Sequence, residues 1–385
     1  GRMDLSHFDQ PFGCSCPGCP KLAMGYPSSL SIAMRIPHYT ASADFTRFVR
    51  AMPKTETHLH LEGSTPIELL RELEPERFSA PPPFWSPEFR YTSFDQFMGL
   101  YDEYCMNFYQ SAQRYHDAAK IVLATCAEQG TRYVETSIHL PGLAAVKDSG
   151  PEILAAIRQA APPGMEVRIF AGMCHNDYAM HGGLIEAALG WDDLAGIDLH
   201  GPEYWRMETW SIDVWQRAQA AGKSTKAHAG EFMPAPFVRW ILDNLGVRRI
   251  EHGVRSIEDP ELVRHLARQR ITLDVCPISN VKLAVQGVPS MAAHPIRALF
   301  DAGVPVTINS DDTFFFGNRL EEEYFALHQE LGFSKAELAR IALNGIEIAL
   351  LSPEKKQALV AEWRAFVAAE SLDLAIAEGS NRFVG

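Results

Sequence analysis

The chain has 385 residues, 46% hydrophobic and 22% charged, a globular composition that excludes a disordered or low-complexity chain. Its net charge of −13 excludes the Lys/Arg-rich surface needed to grip a nucleic-acid polymer or an anionic membrane, and a small ligand is expected instead. Apolar runs fall short of the ~18–20 residues of a membrane span, no secretory signal is read, and an odd 7 cysteines fit a reducing compartment, so a cytoplasmic protein is expected.

Residues 1–53 read as an N-terminal arm, with Gly1-Arg2 ahead of Met3 as an expression scar. Within it Cys14, Cys16 and Cys19 offer three thiols, one ligand short of a metal clip, and an arm packed on the main body or on a neighbouring subunit is the simpler reading. Strand-like runs then follow at 54–61, 132–138, 166–173, 194–199, 224–229, 248–253, 271–276 and 304–309. Stretches of helical period such as 152–160, 209–221 and 259–268 alternate with them. Eight β-then-α units favour a (β/α)8 barrel over a doubly wound sheet, and the span from Lys54 to Asp311 matches the ~250 residues such a barrel needs.

Residues 54–385 therefore read as a single barrel domain with two additions. The first connection, 62–131, is too long for one helix and rich in aromatics (Phe84, Trp85, Phe89, Tyr91, Phe94, Phe97, Tyr101), so it is either a lid over the site or an extra helical layer. Residues 320–385 read as helices packed outside the barrel. Gly222-Lys223-Ser224-Thr225 imitates the end of a phosphate loop, but Arg217 stands where a glycine is required and a strand follows.

His58-x-His60 lies at the end of the first strand, where residues two apart share a face and both imidazoles point to one place. Alone the pair is a weak metal signal. Yet His228 through Glu231 closes the fifth strand, Glu251-His252 the sixth, and Asp311-Asp312 the eighth, all at the ends where barrel enzymes carry catalytic groups. Three histidines and one aspartate with a water suit an open zinc site, one ion per chain, whose water ionises near pH ~7. His252 is then placed to manage that water's proton, as Asp311 can while ligating, and a Glu231 carboxyl kept protonated serves as acid toward a substrate nitrogen. Asp312 is free to meet a substrate N–H or ring nitrogen. His139, His175 and His200 read as rim hydrogen-bonders, and Cys276 as a buried thiol.

MPKTETHLHLEGS (52–64), IDLHGPE (197–203), HAGE (228–231), IEHGV (250–254), CPISN (276–280) and NSDD (309–312) together resemble the adenosine/adenine deaminase family of the metal-dependent amidohydrolase superfamily. The resemblance implies a (β/α)8 barrel with zinc on His58, His60, His228 and Asp311, Glu231 as proton donor to purine N1, and His252 at the attacking water. It also implies Gly201 N–H at purine N3, Asp312 at N7, and Phe94, Phe97 and Met98 as an apolar wall over the sugar. Glu62 stands where adenosine deaminases carry an aspartate that reaches the ribose, and it fits either a ribose contact or a pocket shortened toward a free base. Thr313 replaces the more usual proline, and Phe314, Phe315 and Phe316 either line a pocket or pack. No lysine occurs from 148 through 222, so a carboxylated-lysine two-metal centre does not fit. Adenosine is the first substrate expected, with adenine or a sugar-modified 6-amino nucleoside as alternatives. A pterin or pyrimidine amidohydrolase, or a barrel that binds nucleosides without turnover, are the readings from other classes. Homo-oligomer formation stays open.

Overall fold

In the computed structural model, which describes residues 35–374, eight parallel strands pair with their neighbours in sequence order. They are β1 (Lys54–His60), β2 (Thr131–His139), β3 (Glu166–Met173), β4 (Leu194–Leu199), β5 (Ser224–Ala229), β6 (Arg249–His252), β7 (Thr272–Val275) and β8 (Val306–Ile308). Every expected strand is present, and β6, β7 and β8 are shorter than their apolar runs because the chain turns out of the barrel wall to carry polar groups. β8 makes no regular ladder with β1. The ring closes where Asp311 N–H donates to His58 O (3.1 Å), His60 N–H donates to Asp311 O (3.2 Å), and Thr57 N–H donates to Asn309 Oδ1 (2.7 Å).

Helix α1 (Ala43–Ala51) precedes β1; α2 (Ile67–Leu73), α3 (Phe94–Tyr101) and α4 (Ala112–Glu128) fill the first connection. The next connections carry α5 (Gly150–Gln159), α6 (Tyr178–Leu189), α7 (Trp210–Ala220), α8 (Ala235–Leu245) and α9 (Pro260–Gln269). After β7 come α10 (Pro277–Lys282) and α11 (Ile296–Asp301); after β8 come α12 (Thr313–Phe316), α13 (Leu320–Leu331), α14 (Lys335–Ile348) and α15 (Pro353–Ala369). Starts follow the local chemistry: Ser111 caps α4, Asp259 caps α9, and Ser149 with Glu152 and Ser334 with Glu337 form reciprocal caps on α5 and α14. The helical tail packs outside the barrel, as expected, and α14 lies against β1 and β8 as the eighth barrel helix. Gly345 permits that approach, since a Cβ there would lie 2.0 Å from Thr55 Oγ1.

The first connection is an extra helical layer that reaches the barrel mouth, the place a lid would take. Phe94, Phe97, Met98 and Tyr101 face the cavity at the barrel mouth, while Phe84 and Trp85 are buried against Phe314 and Phe315. The three phenylalanines of α12 thus pack beneath the lid instead of lining the mouth. Lys282 fastens the lid from the barrel side, its Nζ donating to Phe84 O (2.7 Å) and Ser86 O (3.0 Å).

Below the mouth the interior is charged. Arg249 bridges Glu135 (2.6 Å) and Asp274 (2.7 Å), and Lys226 meets Glu251 (2.8 Å). Buried ions are tolerated when paired, and these are, with Arg249 also hydrogen-bonded to both its partners and Lys226 to Thr57 O. Cys276 is buried, as expected, and Cys14, Cys16 and Cys19 lie outside the described residues. Among the described residues no helix is long and apolar enough to cross a membrane.

Candidate active site

Six of the residues singled out in the sequence meet at the C-terminal mouth: His58 and His60 from β1, His228 from β5, Glu231 just past it, His252 from β6 and Asp311 just past β8. His58 Nε2 and His60 Nε2 each stand 3.4 Å from Asp311 Oδ1 and 3.3 Å from one another. The rings of His58 and His228 are centred 4.8 Å apart, and those of His60 and His228 5.2 Å apart. Ligand atoms held at about 2.0–2.1 Å from a tetrahedral zinc lie about 3.3–3.4 Å from one another, so this spacing fits an ion.

The far side of each ring is held. His58 Nδ1 donates to Asp274 O (3.1 Å), and His228 Nδ1 faces Leu199 O (3.1 Å), Asp198 Oδ1 (3.2 Å) and Glu251 Oε2 (2.9 Å), all acceptors. Both Nδ1 atoms therefore carry hydrogen and both Nε2 atoms turn inward as donors to a metal. Burial works to keep both rings neutral, yet Glu251 with Asp311 pulls His58 upward, and Asp198 with Glu251 pulls His228 upward. The centre is set for positive charge, of the kind a cation would supply. The donors fit a divalent ion.

Backbone conformation aims the last two groups. His252 and Asp311 have φ of 63° and 64°, left-handed conformations that non-glycine residues adopt at a cost. Gly63, in the turn after His60, leaves room for Asp312, since a Cβ there would lie 1.6 Å from Asp312 Oδ1. Burial pushes the Glu231 carboxyl well above the ordinary range, with Asp311 and Glu203 adding to it. Burial and then the Asp311 charge raise Asp312 in the same way. Burial opposes ionisation of Asp311 too, but His58, His252 and His60 hold it well below the usual range.

A chain of hydrogen bonds sets the tautomer of His252. Ile296 N–H donates to His294 Nδ1 (3.1 Å), so His294 Nε2 carries the proton and donates to Asn280 Oδ1 (3.1 Å). Asn280 Nδ2 then donates to His252 Nδ1 (3.1 Å), leaving the His252 hydrogen on Nε2, which faces Glu231 Oε2 (3.5 Å) and Asp311 Oδ2 (3.8 Å). Burial and the neighbouring His58 push His252 well below its ordinary value, in keeping with a neutral ring.

Glu203 holds the Glu231 loop. Its carboxylate accepts from the backbone N–H of Glu231 (3.0 Å), Phe232 (3.1 Å) and Met233 (2.6 Å). Asp198, Glu203 and Asn280 lie within the motifs IDLHGPE and CPISN, which do not by themselves reveal these parts, and His294 lies outside every motif. A buried carboxylate on a strand of otherwise apolar residues was the available signal for Asp198; nothing local marked His294, which sits in a loop.

Gly201, Asp312, Phe94, Phe97 and Met98 line the same cavity as the donors. Glu62 does not: it is buried behind the wall, where its Oε1 accepts from Tyr115 Oη (3.1 Å) and His139 N–H (3.0 Å). His139 and His200 do line the cavity, whereas His175 is buried away from it and stacks on Phe237.

The family model for adenosine deaminase matches residues 53–365. An adenine deaminase of Hahella chejuensis is 32% identical over 335 residues, covering 82% of this chain and 96% of that protein. One from Streptomyces coelicolor is 33% identical over 319 residues, covering 79% and 92%. The crystal structure of an adenine deaminase from Arthrobacter aurescens superposes with a TM-score of 0.72 at 29% identity, covering 82% of this chain and 99% of that one. With the barrel and the His/Asp centre, these matches establish that the chain belongs to the adenosine deaminase family of the amidohydrolase superfamily and is a hydrolase of an aminopurine's amidine carbon–nitrogen bond.

Proposed function

We propose that the chain deaminates the free base adenine, adding water at C6 and releasing ammonia, with one zinc ion per chain. Adenosine, the first expectation from sequence, becomes the second reading. The position of Glu62 carries this choice. Where a carboxylate would catch a ribose hydroxyl, Glu62 is instead held outside the cavity lining, its Oε1 accepting from Tyr115 Oη and the His139 N–H. The relatives named above as adenine deaminases support the same choice.

His58, His60, His228 and Asp311 would hold the ion; three imidazoles and a carboxylate suit zinc. When bound, the ion supplies water acidic enough to ionise near neutrality. Glu231, kept protonated by burial, delivers its proton to N1 as water adds to C6, so that negative charge never builds on the ring. His252, with hydrogen on Nε2, orients the attacking oxygen by donating to it. Asp312, also protonated, donates to N7, and the Gly201 N–H donates to N3. As the C6–N bond breaks, the proton of the new C6 hydroxyl passes to the amino group, which leaves as ammonia; C6 becomes a carbonyl carbon, N1 keeps its hydrogen, and the other proton of the water returns Glu231 to its acid form. Phe94, Phe97 and Met98 cover the base and exclude bulk water.

The test is ammonia release, with loss of purine absorbance, from zinc-loaded protein across adenine, adenosine and other N9-substituted 6-aminopurines. Adenine is expected to lead adenosine in kcat/KM by about 100-fold or more, the scale on which an unmatched polar substituent is rejected. Preference for adenosine overturns the substrate; inactivity on the whole panel overturns the reaction.

A further inference from the structure

Beside the catalytic donors, in the same cavity, stands a second set of side chains of metal-binding type. His139 ends β2, Cys174 follows β3 and His200 follows β4, and their donor atoms all lie within 4.8 Å of one another. His139 Nδ1 is 3.1 Å from His200 Nε2, and the His200 ring is 5.7 Å from that of His60. A rim role accounts for two imidazoles sharing one hydrogen bond. It does not account for placing beside them a thiol, which also meets Asp177, or for the space kept clear around both. A Cβ at Gly172 would lie 2.5 Å from His200 Cε1, and one at Gly201, where φ is +84°, would lie 2.6 Å from Cys174 Sγ. Burial holds both imidazoles neutral with lone pairs available, His139 pushed down to about 4 and His200 well below its usual value.

We propose that His139, Cys174 and His200 form a second site for a borderline divalent ion, Zn2+ above all, which shares no ligand with the catalytic centre and obstructs the cavity when filled. Two imidazoles and a thiolate are a zinc donor set, and the fourth position faces the cavity. On binding, the Cys174 S–H bond breaks, a sulfur–metal bond forms with the sulfur's electron pair, and the proton goes to solvent. Burial, with the nearby carboxylates of Asp177, Asp198 and Asp102, keeps this thiol protonated until a metal displaces the proton, so occupancy rises with pH and free zinc. The three donors line the same cavity as Gly201, Phe94 and Met98, so an ion held there takes up substrate space and competes with substrate.

The experiment takes protein carrying one equivalent of zinc and dialyses it against rising free Zn2+, counting metal per chain; Co2+ replaces zinc in a parallel series. The expected result is a second equivalent, a thiolate-to-cobalt charge-transfer band in the near ultraviolet, and an apparent KM that rises with free zinc. Cys174→Ser and His139→Asn each lose the second equivalent and the band while keeping the first equivalent, which also reports that they fold. Uptake that stops at one equivalent in the wild type, or a second equivalent that persists unchanged in Cys174→Ser, overturns the proposal. The first equivalent and the substrate preference are read separately, so failure here leaves the deaminase reading standing.

Discussion

Asp311 N–H donates to His58 O at 3.1 Å, while the side chains of the same two residues face each other at 3.4 Å. The seam that closes the barrel and the centre that would hold the ion are therefore one place. Short β8 gives little ladder of its own, so an ion bridging Asp311 to His58 and His60 would clamp the last strand to the first.

Ion binding is accordingly expected to stabilise the fold. At free zinc 100 times Kd the gain is about 2.7 kcal/mol. Chelation should lower the wild-type Tm by the matching amount. Asp311→Asn keeps the backbone hydrogen bonds, and asparagine tolerates the left-handed φ of 64°, yet it removes the ligand charge. Its zinc affinity should fall more than about 100-fold, and its Tm should not respond to chelator. Calorimetry with and without chelator reads both.

Glu231→Gln should lower kcat by about 10²–10⁴, the usual worth of a positioned acid, with zinc content unchanged. Glutamine keeps the size and a partner for Asn280 Nδ2, which lies 3.5 Å from Glu231 Oε1. Steady-state kinetics beside metal analysis separates a lost proton donor from a lost ion.

Glu203→Leu leaves three backbone N–H groups unpaired in a buried loop, at about 1–3 kcal/mol for each that finds no partner. Glu203→Gln restores some of these bonds. The expected order of kcat is wild type, then Gln, then Leu, with zinc content constant, because the loop carries Glu231 and no metal ligand. Equal activity in all three would remove Glu203 from that role.

His294 provides a pH test away from the donors. Burial pushes it from 6.5 down to about 3, so the native ring stays neutral while the unfolded one takes up a proton. Its contribution is fully present above pH 6.5 and is lost as pH falls from there toward 3, at up to about 1.4 kcal/mol per pH unit. His294→Gln removes this dependence. The variant should be the less stable at pH 7.5, and the gap in Tm should narrow steadily down to pH 4.5.

The barrel was legible because its strands are runs of apolar and β-branched residues separated by helical periods, and because strand ends place chemistry predictably. His58, His60, His228 and Asp311 could be grouped by that rule although they are remote in sequence. Glu62 was not legible in the same way: the chain leaves β1 in a tight helical turn at Glu62–Ser64, which carries its carboxylate behind the wall. The α12 phenylalanines left packing and lining equally open, since only the folded-back lid gives them partners. His294 acts through Asn280, a relation that exists only once two loops are folded together.

Activity against equivalents of zinc added to metal-stripped protein tests the central claim most directly. Ammonia release from adenine should rise linearly from near zero and break at one equivalent per chain. Undiminished turnover without metal, or a rise that continues to two equivalents, would contradict a single-ion deaminase built on His58, His60, His228 and Asp311.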